Sequence, residues 1–392
     1  MNIAYFHRTR ATGVEAVHIG QIVLGMEKHG HAVHMVSPVG EFIEHVRGTP
    51  KPAAPAPAGA KAKSRELPEL VFELLELGYN LKAFWDGWRL SSRVKLGGIY
   101  ERYAIFALAG LLVARLRGVP LVLEVNYTSL SPLVRKRSAL LKPLARFCDG
   151  LLFRRATRLM AVSSYLRDEL VREFGVPADR IEVVPNAADP AVFDPVAALA
   201  RPAKTPLPEG PDAALVGFVG GFYPWHGLGL LVDAFLAVAP KFPQARLLLI
   251  GDGPMRQNIE ARIAELGLQD RVLMPGRIAH AELAPYVARF AVGVMPDSNL
   301  YGSPMKIFEY MAMGVPVLGP DYGPLLDAVD DGVEGYIFRR QDTAHLADCL
   351  SRLLADPDGR ARMGVAARRK IIDTHNWMNN ARLALAAMSP GA

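Results

Sequence analysis

Short apolar runs alternate with longer segments of helical periodicity along most of this 392-residue chain. Each run ends in polar or turn residues, as the buried strands of a parallel sheet do. Five runs predict strands in the first half: NIAYFHR, AVHMVSP, LVLEVNY, LMAVS and IEVVPN. Six do so in the second half: ALVGFVG, ARLLLIGDG, RVLMPG, VGVMP, VPVLGP and EGYIF. The alternation predicts an α/β protein with two doubly wound, Rossmann-like sheets.

Polar residues at the ends of the first-half strands are candidate ligand contacts. In open α/β sheets, ligands bind beyond the carboxyl ends of the strands. We therefore expect these residues to face a crevice. They are Thr12, Gly13, Asn126, Tyr127, Ser163 and Asn186.

Two proline-rich breaks divide the chain. Residues 48–64 (GTPKPAAPAPAGAKAKS) have no apolar period and predict a mobile surface loop. Residues 194–213 (DPVAALARPAKTPLPEGPDA) separate two periodic regions. The breaks predict a first domain over residues 1–198, a linker over 199–213 and a second domain over 214–374.

The segment after the first break, LPELVFELLELGYNLKAFWDGWRL, has helical spacing and a broad apolar side. Packing against the core of the first domain is the favoured interpretation. The alternative is an exposed patch that meets a lipid-bearing or aromatic acceptor.

The composition is that of a folded protein. Apolar residues make up 51% of the chain and charged residues 21%, which excludes extensive disorder. Only two cysteines are present, so we expect a reducing compartment and a cytoplasmic location. The amino terminus does not resemble a secretory signal, and charges interrupt the most apolar stretch, Ile99–Val125. We expect no segment that spans a bilayer.

Basic residues cluster between Arg135 and Arg172, although the net charge is only +6. The cluster is either a solvated helix face or a surface for phosphates or anionic lipid. The second alternative would place the protein peripherally at the inner face of the membrane. No zinc-ligand spacing or aromatic RNA-binding signature accompanies the cluster, so we expect no nucleic-acid partner.

A glycine-rich turn occupies residues 218–235 (FVGGFYPWHGLGLLVDAF), between a predicted strand and a predicted helix. Glycines in such a turn let backbone amides approach a ligand, and a helix start offers unpaired donors to an anion. A simple tight connection is the alternative.

The most informative segment is MPDSNLYGSPMKIFEYMAMGVPVLGP, residues 295–320. Ser303 is predicted to be the N-cap of a helix, and Pro304 its first helical residue. Gly314, with a proline two residues later, predicts its end. The start of this helix is therefore tightly specified.

Two charged residues of that helix predict a ligand. Lys306 lies in the first turn and opposes the helix dipole, which predicts a nearby anion such as a diphosphate. Glu309 lies one turn further on the same face, where a carboxylate can accept hydrogen bonds from the vicinal hydroxyls of a ribose. An internal Lys306–Glu309 ion pair is the alternative.

An ordered set of segments resembles glycosyltransferase family 4, with its GT-B fold. The segments are TGVEAVHIGQIVLGMEKHGHAVHMV, RATRLMAVSSYLRDEL, VVPNAADPAVFDP, VGGFYPWHGL, LLIGDGPMR, VLMPGRI and SPMKIFEYMAMGVPV. The resemblance implies two Rossmann-like domains facing across a cleft, with the acceptor on the first and the nucleotide sugar on the second. It also implies that residues 375–392 form a helix that returns to the first domain.

Position by position, the resemblance implies a set of site residues. Glu309 would bind the ribose, and Arg277 and Ile278 would meet the nucleobase. The implied donor contacts are Gly13, Gly221, Phe222, His226, Arg277, Ile278, Tyr301, Gly302, Ser303, Pro304, Met305, Lys306 and Glu309. The implied acceptor contacts are Thr12, Glu15, Asn126 and Tyr127.

Three departures from the family pattern fall at this site. The first of two usual glutamates is Tyr301 here, and the arginine and lysine that clamp the diphosphate fall on Gly221 and His226. The histidine after an acceptor-domain strand falls on Asn126, which we take as a third catalytic candidate. We expect Lys306 to replace the missing charge, with help from His226 when a diphosphate raises its pKa.

The reaction implied by the resemblance is a retaining, metal-independent sugar transfer with no cofactor. The donor is a nucleotide sugar, UDP being favoured over GDP. The acceptor is a hydroxyl of a carbohydrate, lipid-linked or small molecule in the synthesis of surface polysaccharide, glycolipid or natural-product glycosides. The leaving phosphate can itself take the hydroxyl proton. The alternatives are a non-catalytic nucleotide-binding protein and a GT-B-like epimerase or phosphorylase.

Overall fold

The structure is a computed structural model that describes residues 1–9, 14–38, 68–132, 140–208 and 214–389. Thr12, Gly13 and the predicted loop at 48–64 lie outside these ranges, as does part of the basic cluster. The chain forms two compact units.

The first unit contains a six-stranded parallel sheet in the order β2-β1-β3-β4-β5-β6. Its central strands are buried on both faces, which explains their continuous apolar runs. The strands are β1 (Asn2–Phe6), β2 (Ala32–Val36), β3 (Leu96–Arg102), β4 (Leu121–Val125), β5 (Arg158–Ala161) and β6 (Ile181–Val183). The five strands predicted in this half are confirmed, and β3 was not predicted.

Within the described ranges, five helices connect these strands. They are α1 (Val14–Lys28), α2 (Glu69–Arg93), α3 (Ala109–Arg117), α4 (Lys142–Arg155) and α5 (Ser164–Phe174). Ser163 caps α5, since its hydroxyl accepts a hydrogen bond from the Leu166 N–H, 3.3 Å away. This strand-end residue therefore serves the helix start rather than a crevice.

Helix α2 is the predicted apolar helix, but the favoured interpretation of its apolar side is wrong for much of its length. Its buried residues are Glu73, Ala83 and Gly87. Large apolar side chains on the rest of the helix are exposed: Leu70, Val71, Phe72, Leu74, Leu75, Leu81 and Trp85. The Glu73 carboxylate accepts hydrogen bonds from the backbone N–H groups of Leu140 and Leu141, which orients the buried face toward the start of α4.

Arginines of the basic cluster are partly engaged within the first unit. Arg146 and Arg172 both pair with Glu173. Arg154 donates to the Phe174 carbonyl at 3.0 Å. Part of the basic cluster therefore bonds to groups within the first unit. Contact of the cluster with a membrane stays a prediction.

The second unit contains another six-stranded parallel sheet, in the order β12-β11-β10-β7-β8-β9. All six strands predicted in the second half are confirmed. They are β7 (Ala214–Val219), β8 (Ala245–Ile250), β9 (Val272–Gly276), β10 (Phe290–Val294), β11 (Val317–Pro320) and β12 (Gly335–Phe338).

The described part of the second unit contains eight helices, and buried apolar clusters lie on the two faces of its sheet. The helices are α6 (Pro195–Leu199), α7 (Leu228–Val238), α8 (Arg256–Glu265), α9 (Ala284–Val287), α10 (Met305–Ala312), α11 (Gly323–Leu326), α12 (Thr343–Ala355) and α13 (Pro357–Asp373).

The units divide at Pro185/Asn186 and again at Asn376/Trp377. The first division lies before the predicted domain end at residue 198, because residues after Pro185 bond within the second unit. The Asn186 N–H, for example, donates to the Ser303 hydroxyl at 3.0 Å. Helix α14 (Trp377–Ala386) belongs to the first unit, where the Trp377 ring meets His18 edge-on at 4.8 Å.

None of the helices in the described ranges combines the length and the apolar character needed to cross a bilayer.

Candidate functional site

The glycine turn after β7 brings three backbone segments of the second unit close together. Gly220 has φ +152°, and a Cβ there would lie 2.7 Å from the Lys306 Nζ. Gly251 has φ +143°, and its Cβ would lie 1.9 Å from the Gly220 carbonyl oxygen. Glycine is required at both positions because a side chain would collide. The backbone at these glycines lies against other residues of the protein itself, and the absence of a Cβ at Gly220 leaves room for the Lys306 side chain.

Lys306 lies in the first turn of α10 and carries a buried ammonium group. Its Nζ lies 4.1 Å from the centre of the Phe218 ring, and within the described residues it has no hydrogen-bond partner. Burial lowers the pKa of Lys306 to about 7, and the charge of Glu309 opposes this shift only in part. The alternative of an internal Lys306–Glu309 ion pair is therefore not formed.

The start of α10 differs from the prediction by one residue. The helix begins at Met305, and Pro304 is its cap, without a side-chain hydrogen bond. Ser303 does not cap it, because its hydroxyl accepts from the Asn186 N–H while the Asn186 side-chain amide donates to the Ser303 carbonyl at 2.6 Å. A long-range partner thus displaces the local cap.

Two of the backbone N–H groups predicted to contact the donor near the helix start are available to bind an anion. The Gly302 N–H already donates to the Asn299 side chain at 2.7 Å, and Pro304 has no N–H. Among the predicted donor contacts at residues 302–305, Ser303 and Met305 provide the amides that no described residue engages. Tyr301, at the position of the family's first glutamate, is buried.

Glu309 is buried and bonded to a histidine that the sequence did not single out. His280, in a 3-10 turn over residues 280–282, lies with its Nε2 2.7 Å from the Glu309 Oε1. Burial by itself would lower the pKa of His280, but the hydrogen bond and the charge of Glu309 raise it overall. The pair joins the 3-10 turn that follows β9 to α10.

The two residues predicted to meet a nucleobase follow β9. Arg277 is exposed, and Ile278 packs in part against the core. Gly276, just before them, accepts a hydrogen bond from the Gly251 N–H at 2.9 Å. The end of β9 is thus fixed to the glycine turn after β8.

His226 lies in a 3-10 turn over residues 224–226, with its ring edge-on to Phe218 at 5.6 Å. Its Nδ1–H donates to the Gly221 carbonyl. Burial and the charge of Lys306 lower the pKa of His226 to about 4, against opposing contributions from that hydrogen bond and from Asp297. In the ligand-free protein the ring is therefore neutral at pH 7, with Nε2 as an acceptor.

Phe222 offers little to a donor. Its side chain is fully buried in the core. Its N–H donates to the Asp252 carbonyl, and its own carbonyl accepts from the Met255 N–H, both at 3.0 Å. No backbone amide remains at this position for the predicted contact.

In the first unit, a buried carboxylate at the end of β4 holds the candidate Asn126. Glu124 accepts hydrogen bonds from His18 Nε2 at 3.0 Å and Tyr100 Oη at 2.8 Å, and also from Arg102 and the Asn126 side-chain amide. Burial would raise the pKa of Glu124, but the charges of His18 and Arg102 hold it well below its usual range. Asn126 is thus fixed in place by a fully bonded anion.

The remaining acceptor candidates lie in the same unit. Tyr127 meets the Tyr103 ring edge-on at 5.1 Å, and the Tyr103 hydroxyl donates to Asp149 at 2.6 Å. Glu15 lies in the first turn of α1. Gly13 and Thr12 lie outside the described residues.

A second polar centre in the first unit has unpaired groups. Glu101, His7 and Tyr79 line a cavity of about 20 Å³, roughly the room that one water molecule needs. Glu101 Oε2, His7 Nε2 and Tyr79 Oη have no partner among the described residues. Burial raises the pKa of Glu101 to about 8, opposed only in part by the charge of Arg8. Glu101 is therefore largely protonated at neutral pH.

Two family models match this chain in succession. Residues 13–187 match the family described as "Glycosyl transferase 4-like domain", and residues 213–356 match "Glycosyl transferases group 1". Together they extend over most of both units.

Curated relatives agree with these matches. A 2-deoxystreptamine glucosyltransferase of Streptomyces kanamyceticus is 30% identical over 71% of this chain and 73% of its own length. A D-inositol 3-phosphate glycosyltransferase of Nocardia farcinica is 34% identical over 54% of this chain, and the match spans about half (48%) of that relative.

A solved structure shares the fold over the whole chain. The HepE protein of Anabaena, solved in complex with UDP, aligns with a TM-score of 0.70 over 99% of this chain and all (100%) of that one. The sequence identity is 17%, so this likeness shows the fold alone.

Proposed function

This chain belongs to glycosyltransferase family 4 and has the GT-B fold, and from that premise we propose that Lys306 binds the diphosphate of a nucleotide-sugar donor. The proposed reaction transfers the sugar to an acceptor hydroxyl. The first unit holds the acceptor in this proposal, and the second holds the donor.

The buried, unpartnered ammonium of Lys306 carries the proposal. A buried charge without a counter-ion is unfavourable, which is why the pKa of Lys306 falls to about 7. A diphosphate next to Nζ would remove that penalty and restore the proton. The nearby amides of Ser303 and Met305, at the positive end of α10, add donors for the same anion.

The same cation serves the chemistry. Negative charge develops on the diphosphate as the bond to the sugar breaks, and fixed positive groups at that point lower the barrier. Lys306 supplies one such group. His226 supplies a second once the bound diphosphate has raised its pKa, because protonation turns Nε2 from an acceptor into a donor.

The proposed reaction retains the configuration of the sugar, and the leaving phosphate accepts the proton of the acceptor hydroxyl. Asn126 is proposed to lie on the acceptor side.

Metal independence is a separate part of the proposal. Retained activity after exhaustive treatment with EDTA would support metal independence, whereas loss that Mg²⁺ or Mn²⁺ restores would contradict it.

UDP is the proposed nucleotide. The supporting observation is that several solved structures with this fold are described as complexes with UDP or UDP-glucose, among them those of Anabaena HepE. The relatives are named for glycosylation of 2-deoxystreptamine and D-inositol 3-phosphate. A hydroxyl of a small cyclic polyol is therefore the first acceptor to test.

A nucleotide panel tests the donor assignment. Thermal unfolding of the wild type would be followed with UDP, GDP and dTDP. A ligand at 100 times its Kd stabilises the protein by about 2.7 kcal/mol. That corresponds to a rise of roughly 5 to 10 °C in Tm for a unit of this size. We expect this rise with UDP, followed by incorporation of label from UDP-[14C]glucose into a polyol acceptor. Absence of any nucleotide-dependent shift would contradict the proposal.

A further inference from the structure

Among the described residues, Glu309 is held by a single side chain, His280, which comes from a different element. The two groups lie 29 positions apart in the chain, and their contact is 2.7 Å long. The Glu309 side chain is 7% exposed and that of His280 is 37% exposed. The carboxylate of the pair is therefore buried, and the histidine is the partner that reaches solvent.

The histidine ring is itself fixed. Phe193, a buried residue of the core, meets the His280 ring edge-on at 5.5 Å. The aromatic contact and the bonded Nε2 both restrain the ring. Glu309 is thus tied to a partner that itself contacts the core.

The bond uses one carboxylate oxygen and leaves the other. His280 engages Oε1, whereas Oε2 has no hydrogen-bond partner among the described residues. A carboxylate oxygen accepts hydrogen bonds in defined directions, so holding Oε1 also fixes where Oε2 points. The positive charge favoured on His280 lessens the repulsion between Glu309 and a bound diphosphate.

We propose that His280 is a positioning residue that sets the selectivity of this site for ribose hydroxyls by orienting the Glu309 carboxylate. This inference rests on the proposed function and on the prediction from the sequence that Glu309 contacts the ribose of the donor. His280 does not touch the reacting atoms. Its effect should appear in the discrimination between ribonucleotide and deoxyribonucleotide.

The experiment compares the Kd of UDP with that of 2′-deoxy-UDP by calorimetry in four proteins. They are the wild type, His280→Ala, His280→Gln and Glu309→Ala. The ratio of the two Kd values is an internal control, because a general structural defect weakens both ligands alike. Glutamine at 280 retains an N–H that can reach the carboxylate, so His280→Gln is the conservative variant.

We expect wild-type protein to prefer UDP by about tenfold, the magnitude of one hydrogen bond to a charged group. Glu309→Ala should abolish that preference. His280→Ala should reduce it to about twofold while the Kd of 2′-deoxy-UDP changes little, and His280→Gln should restore most of it.

Two results would overturn the inference alone. If Glu309→Ala abolishes the preference and His280→Ala retains it, the histidine does not position the acid. If His280→Ala increases the preference, the histidine competes with the ribose instead. A preference unchanged in Glu309→Ala would instead remove the ribose assignment on which the inference rests.

Discussion

Replacing Lys306 with alanine should lower kcat/KM for the sugar donor by about 10²- to 10³-fold, the usual cost of removing one fixed group that stabilises developing charge. The reason is that this chain has Gly221 and His226 at the two positions where the family has an arginine and a lysine. Neither residue is a permanent cation, so neither compensates for the loss of Lys306. Steady-state kinetics with a labelled donor measures the effect.

Lys241→Ala is the matched control, since this lysine of the same unit is exposed. It should leave kcat/KM unchanged. Lys306→Met separates stability from activity. Removing a buried, unpaired ammonium should leave the Tm unchanged or raise it, whereas activity is lost. Wild-type rates in Lys306→Ala would contradict the assignment and favour a role for the unit other than diphosphate chemistry.

Glu101 should make the first unit less stable as pH rises from 5 to 8. Its pKa is raised from 4.5 to about 8 in the folded protein, so in this window the folded state holds a proton that the unfolded state has lost. The free energy of unfolding then falls by about 1.4 kcal/mol per pH unit, or roughly 4 kcal/mol in total. Above pH 8 both states are ionised, and the decline ends.

Glu101→Gln should remove this decline, because an amide keeps the shape of the neutral acid and does not titrate. Urea unfolding would be measured at several pH values in a Trp225→Phe background. The remaining tryptophans, Trp85, Trp88 and Trp377, then all report on the first unit. The unfolding free energies of the proteins with and without Glu101→Gln are subtracted at each pH, so that the contributions of the other titrating groups cancel. A difference that does not vary with pH would refute the prediction.

The strands of the second unit were all predictable because each contains an apolar run, and five of the six end at, or within two residues of, a glycine or proline; β12 is instead followed by arginines. Strand β3 was not, since its sequence LGGIYER contains two glycines and ends on charged residues. Its neighbours in the sheet specify it instead. Ile99 and Tyr100 lie between partners on β1 and β4, and their burial follows from that position.

Helical spacing was sufficient to predict that Lys306 and Glu309 would lie on one face, but not what each would contact. Ser303 was misassigned as a cap because Asn186, 117 positions away, takes its hydroxyl. His280 was missed for the same reason: a single histidine carries no signal until the fold places it beside an acid. Local patterns indicate elements, whereas side-chain partners depend on tertiary contacts.

Glu124 shows how such a residue could have been noticed. It is a charged residue in the apolar strand LVLEV, and burying a carboxylate is unfavourable unless it is paired. That conflict predicts a buried partner without identifying it. The structure supplies His18 from α1 and Tyr100 and Arg102 from β3, together with Asn126 next to the strand.

Proton uptake on UDP binding tests the central claim most directly. Calorimetry at pH 8 in two buffers of different ionisation enthalpy measures the protons taken up, and the terminal phosphate of UDP, with a second pKa of about 6, is already fully ionised there. Because the pKa of Lys306 without ligand is about 7, the account predicts that Lys306 itself contributes close to one proton of uptake in the wild type, apart from any uptake at His226. It predicts that Lys306→Met takes up about one proton fewer. UDP binding without proton uptake, or with equal uptake in both proteins, would contradict the claim that Lys306 is the cation that receives the diphosphate.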